Sequence, residues 1–322
     1  MTQIAGTTDT FDLIGIAEDI EDTIHDISPT ETPLYSMCEK LKATNTYHQW
    51  QTDALAAASL NAHVEGDDAS YATAAPTVML GNNTQIFRKT LIVSETADAV
   101  RKYGRSEEST RLATKYGKEW KRDVEYSLVR NSASSAGGSQ TARLSAGIES
   151  MISGNRTLQT GNTAGTVPGF AAAAWTAPTD GTTGTLDETL FVAALEAAWQ
   201  DGGDPSKILT NTTLKRKVAA FGGATKFAGS YVPNAGKVQS MVVGGVDYYV
   251  SDFGTHSIML NRYMRRSVML CLDPDYVAVA TLRPFKATPL AKTGDANKLM
   301  MRGELCLVVK NPDAHSQIRD VN

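Results

Sequence analysis

The feature that most constrains the fold is a row of large apolar side chains spaced four residues apart. The members of this row are Leu112, Tyr116, Trp120, Val124 and Leu128. Residues at this spacing lie on one face of an α-helix, so the row predicts an amphipathic helix over residues 105–131, with Ser106 as its N-cap. About 25 helical residues span roughly 37 Å. That length is large for a chain of 322 residues, so we expect this helix to support much of the core.

Strand-forming segments lie on both sides of the long helix. Stretches rich in aromatic and β-branched residues predict strands at 46–52, 84–95, 207–210, 256–263, 267–272, 276–283 and 299–310. The last two are expected to be joined by a loop from Pro284 to Lys298. The fold class is therefore α+β, and strands before and after the helix suggest two interleaved subdomains.

Two shorter helices are expected between these strands. Thr185 and Glu188 match a capping box at the start of the first, and Gly202-Gly203 is expected to end it. Asn211 is a suitable N-cap for the second. Gly244-Gly245, between two apolar runs, predicts a tight hairpin.

A long segment between the first two predicted strands, Asp53 to Asn83, contains few large apolar residues. It is rich in alanine and carries the acidic turn Glu65-Gly66-Asp67-Asp68. Loops of about 30 residues are uncommon in compact domains and are usually functional. We interpret the segment as an extended two-stranded arm, and because such an arm cannot bury its own surface, it requires a neighbour.

The first 39 residues contain nine acidic residues and neither Lys nor Arg. Within them, an apolar stripe at helical spacing consists of Leu13, Ile16, Ile20, Ile24 and Ile27. Acidic residues occupy the other faces, and Pro29 and Pro33 are expected to end the helix. The stripe docks either on the chain's own body or on another chain; an ordinary core helix is an equally good interpretation.

Composition and motifs argue against several classes of function. The net charge is −4, from 31 basic and 35 acidic residues, whereas proteins that bind nucleic acid freely are usually basic. The five histidines do not lie at metal-ligand spacing, and no nucleophile-elbow or phosphate-loop motif occurs. Cys38, Cys271 and Cys306 are too far apart to suggest a disulfide scaffold. We therefore expect no catalytic, cofactor-binding or metal-binding residues and no membrane contact. A Ser/His/Asp triad assembled from distant positions remains an alternative.

Four stretches in order along the chain resemble a known family. They are Ile27-Ser28-Pro29-Thr30-Glu31-Thr32-Pro33-Leu34, His48-Gln49-Trp50-Gln51-Thr52-Asp53, Asn211-Thr212-Thr213-Leu214-Lys215-Arg216 and Pro289-Leu290-Ala291-Lys292-Thr293-Gly294-Asp295. Together with the order of predicted elements, they resemble the tailed-bacteriophage major capsid proteins, which have the Hong Kong 97-type fold. The resemblance is weakest over residues 133–184.

The resemblance implies a division of the chain into four parts. Residues 1–45 would form the N-terminal arm, and residues 46–95 the E-loop with its flanking strands. Residues 96–132 and 268–322 would form the peripheral (P) domain, which includes the long spine helix. Residues 133–267 would form the axial (A) domain.

The resemblance also implies a function without enzyme activity or cofactor. The chain would assemble as hexamers and pentamers into the icosahedral shell that encloses the double-stranded DNA of a tailed phage. Its partners would be copies of itself, portal, scaffolding and possible decoration proteins, and DNA held by weak non-specific contact. It would be located in the virion and be assembled in the bacterial host cytoplasm. The alternatives are an encapsulin-like nanocompartment shell, a hydrolase, and a tail or decoration protein.

Three groups of residues are candidates for contacts between subunits. The N-terminal stripe supplies Ile20, Ile24 and Ile27, and the arm supplies Glu65, Asp67 and Asp68. The third group lies in and after the predicted 284–298 loop, near three-fold positions, and consists of Lys292, Asp295, Arg302 and Glu304. Ordinary surface charges are the competing interpretation of the third group.

Overall fold

The computed structural model describes residues 29–68, 71, 73–103, 107–158, 165–221 and 247–322, which form both helices and strands. The α-helices are α1 (Pro33–Met37), α2 (Glu95–Ala99), α3 (Glu108–Val129), α4 (Ile148–Met151), α5 (Glu188–Gln200) and α6 (Thr212–Ala219). The strands are β1 (Glu39–Lys42), β2 (Tyr47–Thr52), β3 (Val78–Asn83), β4 (Gln85–Ser94), β5 (Arg156–Thr157), β6 (Gly169–Ala171), β7 (Ala174–Thr176), β8 (Lys207–Thr210), β9 (Tyr248–Ser251), β10 (Gly254–Leu260), β11 (Val268–Leu272), β12 (Val277–Pro289), β13 (Ala296–Val309) and β14 (Ser316–Arg319). The α+β class is confirmed.

Four strands form one sheet, called here the long sheet, in the order β1-β12-β13-β4. Strand β1 is parallel to β12, and the other pairs are antiparallel. The expected loop from 284 to 298 is wrong, because β12 continues to Pro289 and β13 begins at Ala296. Pro284 does not end the strand, since the ladder has a register shift between Arg283 and Lys286 where proline is tolerated.

Helix α3 packs along one face of the long sheet, here called its helix side. Trp120, Val124 and Leu128 are buried there, as the apolar row predicts. Trp120 Nε1 donates a hydrogen bond to the Phe87 carbonyl oxygen at 3.2 Å. A Cβ atom at Gly303 would lie 2.5 Å from Cζ2 of Trp120, so the indole requires glycine on β13.

Asp98 caps the N-terminus of α3 from a distant position; the predicted N-cap, Ser106, lies outside the described residues. The backbone N–H groups of Glu108 and Ser109 donate to the Asp98 carboxylate at 2.9 and 3.1 Å. These hydrogen bonds hold the pKa of Asp98 below its usual value, against the opposing effect of desolvation.

A second sheet has six strands in the order β5-β14-β11-β8-β10-β9. Helices α5 and α6 cover it, and their apolar residues, including Phe191, Leu195 and Leu214, form a buried cluster with its strands. The expected capping box at Thr185 is wrong, because Asp187 accepts the hydrogen bond from the Leu190 N–H. Asn211 caps α6 as predicted. The Gly244-Gly245 hairpin lies outside the described residues.

The three cysteines, Cys38, Cys271 and Cys306, are buried free thiols. Burial raises the pKa of each to about 12, so the thiolate form is strongly disfavoured. Among the residues described, no helix combines the length and apolarity needed to cross a bilayer.

Candidate assembly surfaces

A buried carboxylate anchors the chain where the N-terminal segment meets the body. Glu125, on α3, accepts hydrogen bonds from the backbone N–H groups of Leu34 and Tyr35 at 2.9 and 2.8 Å. Asn261 Nδ2 donates to the same carboxylate at 2.6 Å. Desolvation raises the pKa of Glu125, and the three donors oppose that effect. Helix α1, which Pro33 begins, is therefore fixed on the helix side of the long sheet.

The residues before this anchor include the predicted apolar stripe. Ile20, Ile24 and Ile27, and the helix predicted for them, lie outside the described residues. The stripe therefore stays a prediction.

The predicted arm is two-stranded only at its base. Strand β2 pairs with β3 in antiparallel register, from Tyr47 opposite Asn83 to Thr52 opposite Val78. The described residues between these strands contain no strand and are all exposed, including Glu65, Asp67 and Asp68. Four large apolar side chains of this segment are 79–100% exposed: Leu55, Leu60, Val64 and Tyr71.

The base of the arm is held by a buried amide and an indole. Asn82 Nδ2 donates to the Leu307 carbonyl oxygen at 2.8 Å, and its Oδ1 accepts from the Ala146 N–H at 3.0 Å. Trp175 Nε1 donates to the Gly81 carbonyl oxygen at 2.8 Å. The arm therefore projects from an ordered root.

The expectation that Glu304 contacts another subunit is corrected, because its side chain is 2% exposed within one chain. Its Oε1 accepts from Thr84 Oγ1 at 2.8 Å and from Arg143, and its Oε2 accepts from Arg283 Nε at 2.7 Å. Both carboxylate oxygens are thus occupied inside the subunit. The sequence shows the charge of Glu304 but not its internal pairing, because the three partners are distant from it in the chain.

Lys292 and Asp295 lie in the exposed turn that joins β12 to β13 at the tip of the long sheet. The Lys292 ammonium group pairs with Glu95, at the start of α2. Both side chains are about half exposed, and the hydrogen bond from Lys292 lowers the pKa of Glu95. The Glu95 N–H donates to the Asp295 carbonyl oxygen at 3.4 Å. The Asp295 carboxylate remains a candidate for contact with another subunit.

Arg302 points away from α3, since its neighbour Met301 is buried on the helix side. In the ladder it stands directly between Arg88 of β4 and Lys286 of β12. Of these three basic residues, only Arg302 was a candidate from the sequence. Strand register brings the three together, and register is a property of the tertiary structure.

A second buried ionic cluster connects α4 to the six-stranded sheet. Glu149 Oε2 accepts from Arg265 Nη1 at 2.9 Å and lies 3.5 Å from Arg319 Nη1. Asp180 pairs with both arginines. Desolvation raises the pKa of Glu149, so the arginines chiefly compensate the cost of burying this carboxylate.

One serine–histidine contact bears on the hydrolase alternative. Ser251 Oγ lies 2.7 Å from His256 Nε2, and His256 Nδ1 lies 2.8 Å from the Pro205 carbonyl oxygen. A triad requires a carboxylate at Nδ1, and here a backbone carbonyl takes that place. His256 is completely buried, and Ser251 Oγ also accepts from the Phe253 N–H. The pair therefore stabilises the turn between β9 and β10.

The chain is similar in sequence to known major capsid proteins. The family model described as SU10 major capsid protein matches residues 3–322. The major capsid protein of Escherichia phage Phieco32 is 45% identical over 108 residues, which are 33% of this chain and 31% of that protein. The chain thus aligns with less than a third of that relative.

Solved capsid structures share the fold at low sequence identity. The Cyanophage A-1(L) capsid matches with a TM-score of 0.63 and 14% identity, over 97% of this chain and 98% of that one. A chain in the structure of the phage G major capsid and decoration proteins matches with a TM-score of 0.56 and 11% identity, over 100% of both chains.

These matches confirm the Hong Kong 97-type fold and the resemblance to major capsid proteins of tailed phages. The family and its phage relatives favour a phage capsid over an encapsulin-like shell, and a major capsid protein is a component of the virion. The chain belongs to the SU10 major capsid protein family.

Proposed function

We propose that copies of this chain assemble as hexamers and pentamers into an icosahedral shell that encloses the double-stranded DNA of a tailed phage. The observation that carries the proposal is the arm between β2 and β3. Its four large apolar side chains are 79–100% exposed in one subunit, yet its root is firmly held. Burying one such side chain stabilises by about 1.5–3 kcal/mol, so contact with a neighbouring copy strongly favours assembly.

The four-part division carries over to the proposed shell. Residues 1–45 reach an adjacent subunit as the N-terminal arm, and residues 46–95 form the E-loop and its strands. Residues 96–132 and 268–322 form the P domain. Residues 133–267 form the A domain around the five-fold and six-fold axes.

Lys292, Asp295 and Arg302 face neighbouring copies near three-fold positions in this proposal. The exposed turn at the tip of the long sheet supports it for Lys292 and Asp295. The acidic turn with Glu65, Asp67 and Asp68 is a further contact, together with the stripe of Ile20, Ile24 and Ile27.

Other partners follow from the same role. A closed shell that is filled with DNA requires a portal, and we include a scaffolding protein and a decoration protein as partners. Because the chain has a net charge of −4, contact with packaged DNA is weak and non-specific. Assembly takes place in the bacterial host cytoplasm, and the role requires neither a catalytic reaction nor a cofactor.

The test is expression of the chain alone and with its phage's scaffolding protein, followed by light scattering and negative-stain electron microscopy. Closed particles of uniform size are expected. A compact monomer under both conditions contradicts the proposal, and particles filled with a protein cargo would instead support a nanocompartment.

A further inference from the structure

The face of the long sheet opposite α3, called here the open face, carries exposed side chains in the half that leads to the turn between β12 and β13. On β4, Phe87 and Leu91 are buried on the helix side, and Lys89 pairs with Asp123 of α3 at 2.8 Å. The alternating residues of the strand therefore point to the open face. At the other end of the sheet, Trp50 of β2 packs over the same face.

Three basic residues form a straight row across the open face. Arg88, Arg302 and Lys286 are directly opposite one another on β4, β13 and β12. We call them the basic row. Like charges opposite one another destabilise a sheet unless another group compensates them. Within the part of the chain that the structure describes, no carboxylate forms an ion pair with any of the three.

The carboxylate best placed to compensate the basic row is already engaged. Glu304 lies two residues from Arg302 on the same face of β13, but Arg143 and Arg283 occupy its two oxygens. The described part of the subunit thus presents an uncompensated positive surface, although the net charge of the whole chain is negative.

Apolar side chains flank the basic row on the same face. Ile86 and Ile92 of β4 are 49% and 61% exposed, and Met300 of β13 is partly exposed. A nucleic acid backbone offers phosphates to the row but no apolar partner for the isoleucines. An acidic amphipathic peptide offers both.

The segment of this chain that matches these requirements is residues 1–28. It contains seven acidic residues and no Lys or Arg, and its isoleucine stripe lies between acidic positions. The arm turn, by comparison, carries three acids. A helix over residues 13–27 would be about 22 Å long, enough to cross all the strands of the row, which are spaced about 4.8 Å apart.

The position of Leu34 favours a segment from a different copy. Leu34 is fixed by Glu125 on the helix side, and the basic row lies on the opposite side of the sheet. A segment that leaves on the helix side reaches the open face of an adjacent subunit without turning around the edge of its own sheet.

We propose that the basic row of Arg88, Arg302 and Lys286, with its flanking isoleucines, binds the acidic N-terminal segment of a second copy of this chain. The inference rests on the proposed assembly into a shell and adds the identity of the two surfaces. The acids pair with the basic row, and the isoleucine stripe covers Ile86 and Ile92.

Disulfide trapping between copies tests the geometry. One chain carries Thr23→Cys and a second, distinguished by a size tag, carries Thr90→Cys on the open face; the native cysteines are buried. Mild oxidation of shells assembled from both chains is expected to give the mixed dimer. Lys121→Cys on the exposed side of α3 replaces Thr90→Cys as the control and should give at least about tenfold less product.

Charge exchange tests the energetics. Arg88→Glu with Lys286→Glu is expected to lower the shell yield at least about tenfold, and Asp19→Lys with Asp22→Lys in the same chain should restore most of it. Lys118→Glu with Lys121→Glu reverses two exposed charges on α3 and should leave the yield near that of the wild type. Circular dichroism of the isolated subunits checks that each variant folds.

The outcomes separate this inference from the proposed function. Normal wild-type shells without the mixed dimer overturn the inference alone, as does trapping of Thr90→Cys by Asp68→Cys in the arm instead. Lower DNA content with an unchanged shell yield in Arg88→Glu/Lys286→Glu identifies a phosphate site and overturns it too. A wild-type chain that forms no particles overturns both.

Discussion

The Leu34 N–H donates a hydrogen bond of 2.9 Å to Glu125 Oε1, across 91 residues of sequence. This contact caps α1 with a side chain near the C-terminal end of α3, and Asn261 brings the loop after β10 to the same carboxylate. The position of α1 is thus fixed by a single buried acid.

Replacing this acid should release α1. Glu125→Ala leaves three donors without an acceptor and is expected to destabilise the isolated subunit by roughly 2–4 kcal/mol, whereas Glu125→Gln keeps one acceptor and should cost less. Denaturant unfolding followed by circular dichroism measures both. Glu196→Ala on the exposed side of α5 is the control, and a loss in Glu125→Ala no greater than in this control contradicts the role.

Stability should depend on pH through His315. Burial lowers the pKa of His315 to about 4, and its Nδ1 accepts from the Asp273 N–H at 3.1 Å. Since the unfolded chain binds a proton near pH 6.5 and the folded chain does not, the stabilising contribution is present above pH 6.5. It is lost as the pH falls toward 4, by up to about 3 kcal/mol.

The comparison that isolates this effect is His315→Asn. Unfolding free energies of the wild type and the variant are measured at intervals from pH 7.5 to 4. The difference between the two curves should shrink as the pH falls, and a constant difference would rule out the neutral buried imidazole.

Two glycines should respond in opposite directions to alanine. Gly303→Ala places a Cβ 2.5 Å from Trp120 Cζ2 and is expected to cost about 1–3 kcal/mol in the isolated subunit. Gly117→Ala, within α3, has open space around the new atom and should stabilise by roughly 0.5–1 kcal/mol. Thermal unfolding of the two variants shows whether each substitution stabilises or destabilises the subunit. If Gly303→Ala were as well tolerated as Gly117→Ala, the Trp120 indole would have to move freely.

The exposed leucines of the arm should affect assembly and not folding. Leu55→Asp with Leu60→Asp is expected to abolish shells while leaving the melting temperature of the subunit unchanged, because both side chains are solvent-exposed in one copy. Ala57→Asp with Ser59→Asp adds the same charge to the same segment without removing apolar area. If both pairs impair assembly equally, charge rather than apolar contact is responsible.

Substitutions at Lys292 distinguish a role in a contact within the chain from a role in a contact between chains. Lys292→Glu should destabilise the subunit by less than about 1 kcal/mol, because its pair with Glu95 is half exposed. Adding Glu95→Lys restores the internal pair. The interface proposal expects shell yield to remain low in this exchange, and recovery to the wild-type yield would make Lys292 purely internal. Particle counts by electron microscopy provide the readout.

The parts of the fold that sequence predicted well are those that depend on local periodicity. The apolar row from Leu112 to Leu128 identified α3 within three residues at each end, and Asn211 marked the start of α6. The contact of Asp98 with the N-terminus of α3 comes from ten residues away and has no local sequence signal. The cap of α5 was predicted at Thr185, but Asp187, two positions later, takes that role.

The assembly surfaces were less predictable for a physical reason. Whether a charged side chain is available for contact with another subunit depends on which side chains lie opposite it on the neighbouring strands. Glu304 and Arg302 are two residues apart, yet one is enclosed by arginines and the other stands in an uncompensated row. Strand register decides between these outcomes, and the β12 register shift cannot be read from composition.

The parallel pairing of β1 with β12 has a mechanical consequence. In the proposed shell, tension applied by an adjoining copy to the residues before α1 would pass through α1 into β1, which is hydrogen-bonded along its length to residues 278–281. Pulling along a strand loads its hydrogen bonds together in shear, whereas peeling breaks them one after another. The internal pressure of a filled particle would therefore be resisted at this strand collectively.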